Sequence, residues 1–170
     1  MHENQLASLR QLEDDLWEAA DQLRANSKLT SSEYCMPVLG VIFLRHAANR
    51  FDAVTRQLQD EVDTGKMKRK PIEADYIKRR SLFLPEQSRY DTILATPKDA
   101  DLGKVLINAM VAIENKFPPL KGILPKEFMI FERAVLEDLL KIFNRDALKA
   151  AGGDIFGRIY EYFLMQFAIQ

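Results

Sequence analysis

Seven cations fall between positions 66 and 80: Lys66, Lys68, Arg69, Lys70, Lys78, Arg79 and Arg80. Only Glu73 and Asp75 oppose them in charge, and Tyr76 and Phe83 are interleaved or adjacent. Phosphate contacts need lysine or arginine on a surface that can follow a nucleic-acid backbone, and this stretch can supply it. The competing reading is a solvated connector whose charge has no partner. Arg45, Arg50 and Arg56 form a second cationic series on a predicted helix. The spacing leaves open whether Arg45 and Arg50 face away from the Phe43 and Phe51 stripe.

Other reactive side chains are sparse. Cys35 and His46 would share one helix about three turns apart, which is ~16 Å along the axis. That is too far to share a proton as a nucleophile and its base. His2 lies near the terminus, and neither histidine stands at metal-ligand spacing from Cys35. The adjacent acids Asp14-Asp15 and Asp60-Glu61 point to different sides and read as solvated faces. Trp17, the single tryptophan, reads as a helix-packing anchor. No catalytic residue and no metal ligand is assigned.

The elements that must position these groups read as helices. Leu6, Leu9, Leu12, Leu16, Ala20 and Leu23 recur at helical spacing and predict a first helix to about Ala25. Thr30, Ser31 and Ser32 are candidate N-caps for a second. Pro37 sits within its first turn or at a kink. That helix continues through Phe51, Val54 and Leu58 to about Val62, where Thr64-Gly65 ends it. Lys66 to Arg80 is only weakly periodic. A short helix is predicted around Gln87 to Leu94, and a longer one from Leu102 past Ile113. Phe117-Pro118-Pro119 terminates the latter, and Leu120 to Pro125 connects to a helix over about Phe131 to Phe143. Gly152-Gly153 separates that helix from a last one carrying Ile155, Ile159, Tyr162, Phe163 and Phe167. The class is all-α, with about five main helices in one compact domain.

Composition narrows the function classes. At 170 residues the chain has the size of one domain with a core of its own. Formal net charge is −1, so any attraction to a polyanion must come from a local patch. One cysteine excludes an intramolecular disulfide and fits a reducing, cytoplasmic setting. No apolar run approaches the ~20 residues of a membrane span.

The last stretch carries a more specific signal. Asp154-Ile155-Phe156-Gly157-Arg158-Ile159, then Tyr160-Glu161-Tyr162 and Phe167-Ala168, resembles the end of a known helical domain. This is the N-terminal domain of the type I restriction-modification methyltransferase (M) subunit. Leu16 to Arg24 resembles the family's opening helix, and Tyr34 to Asp52 its long second helix. Leu84-Pro85-Glu86, Leu102-Gly103, Ala109-Met110, Ile113-Glu114-Asn115 and Leu120 to Pro125 agree in order and spacing. The resemblance covers about Leu16 to Ala168.

It implies that residues 1–170 are the N-terminal part of a longer subunit whose methyltransferase domain follows. The intact subunit would transfer a methyl group from S-adenosylmethionine to adenine in duplex DNA. It would work with a specificity (S) subunit, a second M subunit and a restriction subunit. Tyr160, Phe163 and Phe167 are then expected at the interface with the next domain. The chain itself lacks both loops that such chemistry needs. Phe117 stands where an Asn- or Asp-Pro-Pro-aromatic motif needs a hydrogen-bond acceptor for the flipped base's amine. Gly152-Gly153 follows a helical pattern instead of a strand and reads as a C-cap. No cofactor is therefore expected on this chain. A stand-alone helical adaptor for proteins and a small helical enzyme with an unrecognised site remain as rival readings.

Overall fold

A computed structural model describes residues 30–149, with Arg10, Gln11, Glu13, Asp14, Asp15, Trp17, Glu18, Asp21, Ala25, Gly152 and Gly153. Among the described residues all regular structure is helical: α1 Ser31–Asp63, α2 Glu73–Lys78, α3 Tyr90–Leu94, α4 Leu102–Lys116, α5 Arg133–Ile142 and α6 Asp146–Lys149. Two 3-10 turns, Glu86–Ser88 and Pro118–Leu120, precede α3 and follow α4. The fold is all-α, as its sequence predicts. The described positions from Arg10 to Ala25 are helical too, where a first helix is expected.

The long helix α1 organises the rest. Thr30 is its N-cap, and the Glu33 carboxylate accepts from the Thr30 N–H at 3.1 Å. Pro37 lies inside the helix, past its first turn, so the Glu33 carbonyl loses its i+4 donor there. From Pro37 to Ala48 nearly every residue is buried. A helix apolar all round must be covered on all sides. Beyond Phe51 burial narrows to Phe51, Val54 and Leu58, one stripe at i, i+3 and i+7. The second half of α1 is thus amphipathic and presents its polar face outward.

Neighbouring elements close on the buried half. The connector after α4 crosses α1 at Gly40, where an added Cβ would lie 3.1 Å from the Phe128 ring and 3.2 Å from Met110 Cε. Glu114 of α4 is buried and holds that connector. Its Oε2 accepts from the Leu124 N–H at 3.0 Å and from Lys126 Nζ at 2.7 Å. The Lys126 ammonium keeps this carboxyl below its ordinary range despite burial. From the other side, the Tyr90 hydroxyl donates to the Leu140 carbonyl at 2.6 Å, joining α3 to α5.

The structure decides one reading left open and corrects others. Arg45 is a core residue, 3% exposed, with its guanidinium 4.3 Å over the Tyr90 ring. Its Nε donates to Asn49 Oδ1 at 3.0 Å and its Nη1 to Asn144 Oδ1 at 3.4 Å. Asp15 is also buried and pairs with Arg145, so it does not belong to a solvated face. Trp17 exposes 41% of its surface, so packing covers only part of the indole. Helices α2 and α6 were not expected, because each is too short to show a period.

Candidate nucleic-acid interface

The basic segment is held against the amphipathic half of α1. Thr64 and Gly65 end the helix, Gly65 with φ +80°, and the Met67 N–H bonds back to the Glu61 carbonyl at 2.9 Å. The chain then returns alongside α1 as α2. Tyr76 is the docking residue. Its ring stacks on Phe51 at 4.9 Å and meets Phe83 edge-on at 5.1 Å. Its hydroxyl lies 2.9 Å from Thr55 Oγ1. Tyr76 is therefore spent on packing and is buried away from any base. Lys116 of α4 pairs with Glu73, fixing the start of α2.

The seven cations of the segment divide into two tasks. Arg69 is bidentate to Asp75, both bonds at 2.8 Å, and the Ile72 N–H donates to the same carboxylate at 2.8 Å. The guanidinium first, and that backbone bond second, hold the Asp75 carboxyl far below its usual range. Such fork-to-fork geometry fixes a loop as well as a charge. Arg79 reaches Glu61 of α1, with Nη1 2.6 Å from Oε2. Arg50 donates to the Arg79 carbonyl, and Arg80 follows in the left-handed region at φ 60°. A non-glycine residue there is strained, and the bonds around it must hold it.

Lys66, Lys68, Lys70, Lys78 and Arg80 are exposed. None of them forms an ion pair with a described residue. The structure therefore holds the segment to α1, with Arg69 and Arg79 turned to clamping and the other five cations exposed. The only sequence signal near this division is the presence of Asp75 and Glu61 close to the cations; which arginines they hold is set by the fold.

The other candidates separate similarly. Cys35 and His46 both lie on α1, eleven positions apart. Burial raises the Cys35 thiol's pKa, and burial, with Arg50 second, lowers that of His46; at that separation on one helix, the two do not form a nucleophile and its base. Among the described residues no group of three or more His, Cys, Asp or Glu could hold a metal ion. No described helix is long and apolar enough to cross a membrane. The expected interface residues Tyr160, Phe163 and Phe167 lie outside the described residues.

Comparison with known proteins gives two findings. The family model of the HsdM N-terminal domain matches residues 12–143. The chain is also 31% identical, over 92% of its length, to the type I restriction enzyme MjaIX methylase subunit of Methanocaldococcus jannaschii. It spans 31% of the length of that relative.

Proposed function

The chain belongs to the HsdM N-terminal domain family, and from that premise we propose that it is the DNA-clamping and assembly domain of a type I adenine-specific DNA methyltransferase M subunit. The intact subunit would use S-adenosylmethionine, in the cytoplasm, together with a specificity subunit, a second M subunit and a restriction subunit. None of the methyl-transfer steps is assigned to residues of this chain.

The observation that carries the DNA reading is that Lys66, Lys68, Lys70, Lys78 and Arg80 are exposed and make no direct ion pair with a described residue, on a clamped segment. Each phosphate such a cation neutralises releases condensed counterions, which favours binding without reading sequence. The domain would position and enclose DNA while base recognition lies elsewhere.

Replacing Lys66, Lys68 and Lys70 together by alanine, in the assembled enzyme, tests this. Arg69 is left intact because its loss would release Asp75 and loosen the segment. Affinity should fall alike at cognate and random sites, and the salt slope should flatten by ~0.9 per lost contact. Unchanged affinity and slope would make the segment a solvated connector.

A further inference from the structure

Besides the basic segment, α1 carries a second cationic feature. A cavity of about 250 Å³ opens between its outer face and the chain after α6. His46, Asn49, Arg50, Ala53 and Arg56 line it on α1, with Lys149 and the Gly152-Gly153 backbone opposite. At 3.6 residues per turn these five α1 positions cover roughly 120° of helix surface. Ala53 lies near the middle of that arc. Its methyl makes a low floor, and the two arginine stems rise on either side. At Gly153 a Cβ would sit 3.6 Å from His46 Cε1, so main chain closes against the imidazole.

Three full cations thus face one concavity, and no carboxylate stands among its described lining residues. Asp52, one turn before Arg56, is close enough to interact with its charge but makes no direct ion pair with it, and neither does Asp60 one turn after. Arg50 is anchored through Nη2 on the Arg79 carbonyl, which leaves its remaining N–H groups available. Like charges held together in this way repel, and a bound anion relieves that repulsion.

We propose that this cavity is a phosphate site for a duplex nucleic-acid backbone. The choice of a backbone over a free nucleotide rests on two observations. No Phe, Tyr or Trp stands among the described lining residues, and Gly153 closes against the one ring there, the His46 imidazole. The cations also continue past the cavity. Arg50 bonds the residue before exposed Arg80, linking the cavity to the basic segment across α1. Phosphates would cross the long helix from Lys149 and Arg56, past Arg50, to Arg80 and the lysines. The site rests on the proposed DNA contact and specifies where it is centred.

The test is anisotropy titration of a labelled duplex with the 170-residue chain across a salt series. Four variants are compared with the parent: Ala53→Glu, Arg56→Ala with Lys149→Ala, Arg56→Lys, and the triple lysine variant. Ala53→Glu should weaken binding by about tenfold or more, and the double variant should flatten the salt slope by ~1.8. Arg56→Lys should keep the parental slope. Arg56 and Lys149 are exposed, so the double variant carries the test even if Ala53→Glu disturbs the fold. If the cavity variants bind like the parent while the lysine variant weakens, the cavity site is wrong and DNA contact by the segment stands. If the parent itself does not bind, both are wrong.

Discussion

Tyr90→Ala should destabilise the domain by about 4 kcal/mol, read as a lowered midpoint in urea unfolding followed by circular dichroism. Tyr90 is 1% exposed and stands where α3, α1 and α5 meet. Three losses coincide there. The first is the ring volume, since a buried aromatic cut to alanine leaves a cavity that its neighbours fill incompletely. The second is the hydroxyl bond to the Leu140 carbonyl. The third is the π face under Arg45, a buried cation that donates to the neutral side chains of Asn49 and Asn144. Tyr90→Phe separates these, because it keeps the ring and the stack and removes only the hydroxyl. It should cost about 1 kcal/mol. Equal effects of the two substitutions would mean that the ring and Arg45 contribute little.

Phe128→Ala should cost a similar ~3–5 kcal/mol, by the same measurement. Phe128 is fully buried, and its ring tip lies against the position of a Gly40 Cβ. It holds the connector between α4 and α5 on the buried half of α1, while Glu114 holds the connector's start through Leu124 and Lys126. Since whole domains are stable by only ~5–15 kcal/mol, either substitution removes a large share. A Phe128→Leu control fills most of the space and should recover much of the loss. A loss under about 1 kcal/mol for Phe128→Ala would show that the connector is not part of the cooperative unit.

The long elements were legible because their signals are local. Apolar spacing marks α4, Phe117-Pro118-Pro119 marks its end, and Thr64-Gly65 marks the end of α1. What sequence alone did not reveal depends on distant partners. Helix α2 has six residues and no face of its own; Tyr76 stacked on Phe51 keeps it in place. The side to which Arg45 faces stays open in the sequence until Tyr90 and Asn144, far along the chain, are placed beside it. The basic cluster was visible as composition. Its division into inward clamps and outward cations was not, because that depends on Asp75 and Glu61 folding back onto Arg69 and Arg79. The cavity behind Arg56 was not foreseen either, since Lys149 and Gly153 reach α1 only through the tertiary fold.

A salt titration of the unmodified chain with two duplexes of unrelated sequence decides most directly whether this domain contacts DNA through its backbone. Five outward cations on the segment and three at the cavity set the range. Both duplexes should bind equally, and log affinity should fall linearly with log salt at a slope of roughly −3 to −7, near 0.9 per phosphate contacted. A flat salt dependence, or no binding even at low salt, would contradict DNA clamping and leave assembly with other proteins as the role of the domain.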